Sequence, residues 1–177
     1  RHELARRVRR FYPYQEPYVT QFVYWKTRID PLFAVIDDAV PKAGVILDLG
    51  CGFGVVAHWL TLGSPRRTVL GVDNDPNKLR VARATAAFNP RVGFEEQNVL
   101  DWTYPAVDCV LMLDLLHYLP HDLKASVLAK AFAALHPGGR LVLRDAFLED
   151  TRKHRLTAWS EKWGVRPDAR RQRPWRG

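Results

Sequence analysis

The stretch Val45-Ile46-Leu47-Asp48-Leu49-Gly50-Cys51-Gly52-Phe53-Gly54 decides the reading of this chain. An apolar run ends in an acid, and three glycines follow on alternate positions. The run predicts a short buried strand. The glycines let the chain turn sharply, so that backbone rather than side chains lines a ligand site. Asp48 sits at the mouth of that strand, where an open α/β sheet binds its ligand. An acid there suits a ligand carrying a positive charge and an amino group, and is unwelcome beside a pyrophosphate. Counting makes the same distinction. The pyrophosphate fingerprint G-x-G-x-x-G needs a third glycine where this chain has Val55.

Outward from this stretch, strands and helices alternate. Strands are expected at about 45–49, 68–73, 91–97, 107–113 and 140–146. Helices are expected at about 54–62, from Asp75-Pro76 to Asn89, and at 121–135, the last ending at Pro137-Gly138-Gly139. Upstream, residues 2–10 suggest a short helix. Residues 11–25 are dense in aromatics and interrupted by Pro13 and Pro17, which suits an irregular or helical lid. Asp30-Pro31 opens a helix, with Asp30 as N-cap, and Pro41 ends it. The alternation implies parallel strands joined by right-handed crossovers, hence an α/β fold of three layers with a mostly parallel sheet of about five strands. A last amphipathic helix is expected over 149–163, before a basic, polar tail from Val165 to Gly177 that reads as disordered.

The 177 residues suffice for one domain with its own core, and 47% hydrophobic with 26% charged residues is an ordinary globular balance. No run of 18 apolar residues marks a membrane span, and Arg1–Arg10 has no apolar stretch of the kind a secretory signal needs. Cys51 and Cys109 are the two cysteines, which fits a reducing cytoplasm rather than a disulfide framework. The net charge of +8 is uneven: +4 over residues 1–10, −3 over 11–150 and +7 over 151–177. Basic ends bind nucleic acid or an anionic surface, or are simply solvated. The chain starts at Arg1, and its one methionine is Met112, so it reads as a piece of something longer.

The pattern D-x-G-x-G-x-G at Asp48–Gly54, the acid Asp73 closing the second strand 25 residues later, and Leu135-His136-Pro137-Gly138-Gly139-Arg140-Leu141 together resemble the class I S-adenosylmethionine-dependent methyltransferases. The resemblance covers about residues 30–147 and implies a doubly wound, Rossmann-like fold and S-adenosylmethionine as cofactor, with no metal. It divides the chain into an N-terminal helix and aromatic lid (1–29), a cofactor-binding domain (30–147) and a C-terminal helix and tail (148–177). Such enzymes usually add an antiparallel strand pair after the fifth strand, which the tail lacks.

The resemblance also implies roles. Asp48, Gly50, Cys51 and Gly52 would line the cofactor, and Asp73 with Asn74 would hold its ribose hydroxyls. Asn98 and Val99 would meet the adenine, with Asp101 as the other candidate for its amino group. Asp114 and Leu115 would face the methionine end, as would Tyr24 and Arg28 from the lid. Tyr12, Tyr14 and Tyr18 are candidates for an apolar substrate wall. His117, in Leu115-Leu116-His117-Tyr118-Leu119, matches the general base of methyltransferases acting on phenolic hydroxyls; its alternative is a structural histidine. His58 and His136 are expected on helices, without a catalytic role. The implied partner is a small or lipid-like acceptor methylated at oxygen. The alternatives are RNA, with the basic ends on phosphate, and a non-catalytic cofactor-binding subunit. The absence of Asn-Pro-Pro-Tyr or Asp-Pro-Pro-Tyr after the fourth strand weighs against base amines. Self-association is left open.

Overall fold

The computed structural model describes residues 1–13 and 15–145. Its centre is a five-stranded sheet in the order β3-β2-β1-β4-β5, every neighbouring pair parallel. The strands are β1 (Ala43–Leu49), β2 (Arg66–Asp73), β3 (Val92–Glu96), β4 (Val107–Leu113) and β5 (Leu135–Arg144). The helices are α1 (His2–Arg9), α2 (Pro17–Ile29), α3 (Leu32–Ala39), α4 (Val55–Gly63), α5 (Pro76–Ala86) and α6 (His121–Ala133).

Side-chain alternation along the strands sorts the core into two layers. Ile46, Val69, Cys109 and Leu111 face a cluster made with α1 to α5. Leu47, Leu49, Val72, Val110 and Met112 face a second cluster with α6. The doubly wound α/β expectation is thus met. The chain reverses winding between β1 and β4, so the crevice at their carboxyl ends is the topological switch point where such sheets bind ligands.

Boundaries differ from the sequence expectation in three places. The aromatic lid becomes helical at Pro17, a residue that a first turn accepts because the missing N–H costs nothing there, and the helix runs on to Ile29. Helix α3 starts at Leu32, with the Asp30 carboxylate accepting from the Leu32 N–H at 2.9 Å. The fifth strand starts early: Leu135 already pairs with Val107, and a register irregularity around Cys109 absorbs the Pro-Gly-Gly segment. His136 therefore lies in β5 rather than on a helix, its Nδ1 3.0 Å from the Asp108 carboxylate. The expected helix over 149–163 and the tail beyond lie outside the described residues.

The glycine loop is fixed by close packing. Gly54, at φ +78, caps α4. A Cβ there would stand 2.4 Å from the Phe94 ring. A Cβ on Gly71, in the neighbouring β2, would lie 2.9 Å from both Cβ and Sγ of Cys51. Beneath the loop, Tyr12 is buried and donates to the Phe53 carbonyl at 2.8 Å, which makes it a pin for the loop instead of a substrate wall. His58 is buried among Thr85, Asn89 and the stacked Phe11 ring, and burial pushes its pKa down to about 4. It lies on α4, as expected.

Candidate functional site

Three segments meet at the switch point: the loop after β1, the end of β2, and the segment after β4. The β1 loop is tied to β2 by Gly50 and Cys51, whose N–H groups both donate to the Val72 carbonyl, at 2.8 and 3.0 Å. Asp73 completes the tie. Its Oδ2 accepts from Gly52 N at 2.8 Å and its Oδ1 from Asp75 N at 2.9 Å. A carboxylate has about four acceptor positions, so each oxygen keeps capacity toward the crevice. Asp75 is the helix cap, accepting from Asn77 N and Lys78 N, which leaves Asp73 free of that duty. Asn74 sits between the two acids.

Asp48 is the anomaly of the site. It is 2% exposed, and its Oδ2 has no hydrogen-bond partner among the described residues. Burial, and secondarily the charge of Asp73, raises its pKa from 3.8 to about 7. A buried carboxyl without a partner is costly once ionised. The folded protein therefore keeps a proton on Asp48 that the unfolded chain loses above pH 3.8. This contribution to stability is complete below pH 3.8 and is lost as pH rises through about 7. Asp48→Asn removes the titration. Its unfolding free energy relative to wild type is expected to improve between pH 4 and pH 8 by up to about 4 kcal/mol. Denaturant melts at the two pH values measure this, and an unchanged difference would mean that Asp48 is compensated.

The adenine candidates are internally engaged. Asn98 Oδ1 accepts from Leu100 N at 3.0 Å, and its amide nitrogen donates to Asp101, forming an Asx turn. Val99 is buried, and its carbonyl accepts from Tyr104 and Lys130. The turn places Asn98 beside β2, since Gln97 N donates to the Asp73 carbonyl.

After β4 the chain makes a left-handed step at Asp114, φ +58, then a 3-10 turn over Leu116–Tyr118. Leu115 packs against the loop, its Cδ1 3.1 Å from where a Gly50 Cβ would be. Asp114 is held by Arg144, which also reaches Asp30 at 2.6 Å, and by Lys26 at 3.7 Å. Its carboxylate is thus occupied by the ion-pair network that joins the lid to β5. His117 Nδ1 lies 2.6 Å from Asp145 Oδ1, with both side chains about four-fifths buried. The Tyr118 ring lies over His117, with centroids 4.0 Å apart. An imidazole donating through Nδ1 to a carboxylate presents Nε2 as an acceptor, the arrangement of an oriented general base.

The lid corrects one expectation. Tyr24 and Arg28 face α1, where the guanidinium carbons of Arg9 and Arg28 lie 4.9 and 6.0 Å from the Tyr24 ring centroid. The residues of α2 that reach the site are Tyr18 and Phe22, both edge-on to Phe53, and Lys26. Two residues along a helix is about 200° of rotation, so Tyr24 and Phe22 point opposite ways. Tyr14 lies outside the described residues. Sequence reasoning missed Asp145, Lys26 and Arg144, and of these the helical spacing of Tyr18, Phe22 and Lys26 was the one available signal.

A methyltransferase-domain family model matches residues 46–139. A trans-aconitate 2-methyltransferase of Methylobacterium nodulans is 33% identical over 112 residues, covering 63% of this chain and 42% of that protein. The chain therefore spans less than half the length of this curated relative. Among solved structures, the S-adenosylmethionine-dependent methyltransferase SibL superposes with a TM-score of 0.62 at 29% identity, covering 82% of this chain and 43% of that one. An O-methyltransferase family protein from Burkholderia thailandensis gives a TM-score of 0.58 at 25% identity, covering 75% and 42%.

Proposed function

The chain belongs to the S-adenosylmethionine-dependent methyltransferases, and we propose that it methylates a hydroxyl oxygen of a small or lipid-like acceptor, with His117 as general base. The single observation that carries the reading is the His117–Asp145 pair at 2.6 Å, beside the crevice.

The site fits the cofactor on its own evidence. The orphaned Asp48 Oδ2 calls for a cationic or amino-bearing group. Gly50 and Gly52 bring no side chain of their own to the turn, the Cys51 side chain packs against Gly71, and Asp73 keeps acceptor capacity for two hydroxyls. When bound, the cofactor supplies a methyl group on a sulfonium, already a good leaving group. What remains for the protein is alignment, exclusion of water and removal of one proton. Phe22, Tyr18 and Phe53 form an apolar cover over the loop. Asp145 orients His117 and stabilises the imidazolium that forms when Nε2 takes the acceptor's proton.

The base also narrows the acceptor. A carboxylic acid is already ionised at neutral pH, whereas an alcohol or phenol must lose its proton. A relative's name gives a small acid as acceptor, and a structural neighbour's title gives oxygen. His117 favours hydroxyl over carboxylate.

The test is a panel of phenols, alcohols, carboxylic acids, amines and a short RNA, with S-adenosylhomocysteine release and product mass as readouts. Hydroxyl compounds are expected to turn over. Turnover confined to carboxylates, amines or RNA would overturn the proposal.

A further inference from the structure

A second concavity lies away from the crevice, between α1 and α2. Its volume is about 240 Å³, and it is lined by His2, Ala5, Arg6, Arg9 and Arg28. Three guanidinium groups and an imidazole thus surround one small hollow. Among the described residues the one carboxylate paired with any of these is Glu3, which meets Arg6 at 3.1 Å with both side chains mostly exposed. An exposed pair of this kind contributes little and yields readily to another anion.

The arginines are held, not merely near. Arg9 and Arg28 come from different helices and share the Tyr24 ring, at 4.9 and 6.0 Å from its centroid. A guanidinium drawn to a ring face keeps N–H donors available for an anion. Favourable placement at helix C-termini explains arginines in the last turns of α1 and α2. It does not explain their convergence on one hollow, with His2 from the first turn of α1 beside them. Like charges gathered in a concave site repel each other unless an anion joins them.

We infer that this hollow is a binding site for a phosphate- or pyrophosphate-bearing small molecule, separate from the methyl-transfer crevice. Arg9 and Arg28 grip the anion bidentately, and Arg6 and His2 close the rim. The hollow is bounded on both sides by helix, which suits a compact anion better than a polymer.

The test is calorimetric titration of the full chain with inorganic pyrophosphate and with phosphate, at two salt concentrations. Saturable binding is expected, weaker at the higher salt. Arg9→Ala and Arg28→Ala should each weaken it about tenfold, the loss of one charge-assisted contact. Tyr24→Phe keeps the ring and should bind normally, whereas Tyr24→Ala should bind more weakly. Arg7→Ala removes the same charge from the same helix but outside the hollow, and should bind as wild type does. An equal loss in Arg7→Ala would overturn the site in favour of a diffuse field. So would binding of a short single-stranded RNA by a chain that ignores pyrophosphate, and so would the absence of any binding.

Discussion

His117→Ala lowers kcat on a hydroxyl acceptor by about two orders of magnitude or more, while the affinity for S-adenosylhomocysteine stays within about twofold. The split follows from where the imidazole stands. Its Nδ1 is committed to Asp145, and its Nε2 is the atom left for the acceptor. Asp48, the Gly50–Gly52 loop and Asp73, which would hold most of the cofactor, belong to other segments, the β1 loop and the end of β2. Removing the base therefore leaves the methyl donor in place and strands the acceptor's proton. Asp145→Asn is the graded companion. An Asn can still sit beside Nδ1, but it loses the charge that stabilises the imidazolium, and its NH2 can donate to Nδ1 and so hold the wrong tautomer. Its kcat loss is expected to fall between wild type and His117→Ala. Steady-state kinetics with calorimetry on the same preparations reads both quantities. A His117→Ala enzyme with undiminished kcat would show that alignment alone suffices, and that the histidine is structural.

The fold was legible in the sequence because its signals are local and periodic. Apolar runs of five to seven residues, glycines at fixed spacing and Asp-Pro openings each act within a turn or a strand. The positions of Asp48 and Asp73 shared that advantage. Asp48 and Asp73 sit at strand ends, and the strand order brings them together. The lid did not share it. Tyr24 and Arg28 were selected by residue type, yet a helix shows one face to the site and the opposite face to α1. Which face is which is set by packing against Phe53 and Arg9, from other segments. The same holds for Asp145. Its value lies in a contact with a residue 28 positions away, and parallel pairing of β4 with β5 creates that contact. Asn98 is a local case: it forms an Asx turn, as any Asn at a strand end allows. Asp114 is a third kind of case: its link to Arg144, a residue 30 positions away, has no signature in Leu113-Asp114-Leu115.

Asp73→Ala is expected to weaken S-adenosylhomocysteine binding about a hundredfold and to lower stability as well. One carboxylate joins the β1 loop to β2 through Gly52 N and turns the chain toward α5 through Asp75 N. In the proposed complex the same oxygens accept from two hydroxyls. Hydrogen bonds to a charged acceptor contribute about 1.5 kcal/mol each at the low end, so losing two from the ligand, about 3 kcal/mol, accounts for the hundredfold. The two backbone donors left behind add a stability loss. Asp75→Ala separates these effects. It removes the cap of α5, for about 1 kcal/mol of stability, without touching the crevice. If Asp73 acted only through the loop, the two variants would lower affinity in proportion to their stability losses. If it contacts the ligand, Asp73→Ala falls far below the line that Asp75→Ala defines. Asp73→Asn supplies the third point. Its amide preserves one acceptor and puts a donor where Gly52 N or Asp75 N already donates, so affinity should fall between wild type and Asp73→Ala. Titration calorimetry with thermal melts of the three variants gives every term, and equal affinities for Asp73→Ala and Asp75→Ala would remove Asp73 from the binding site.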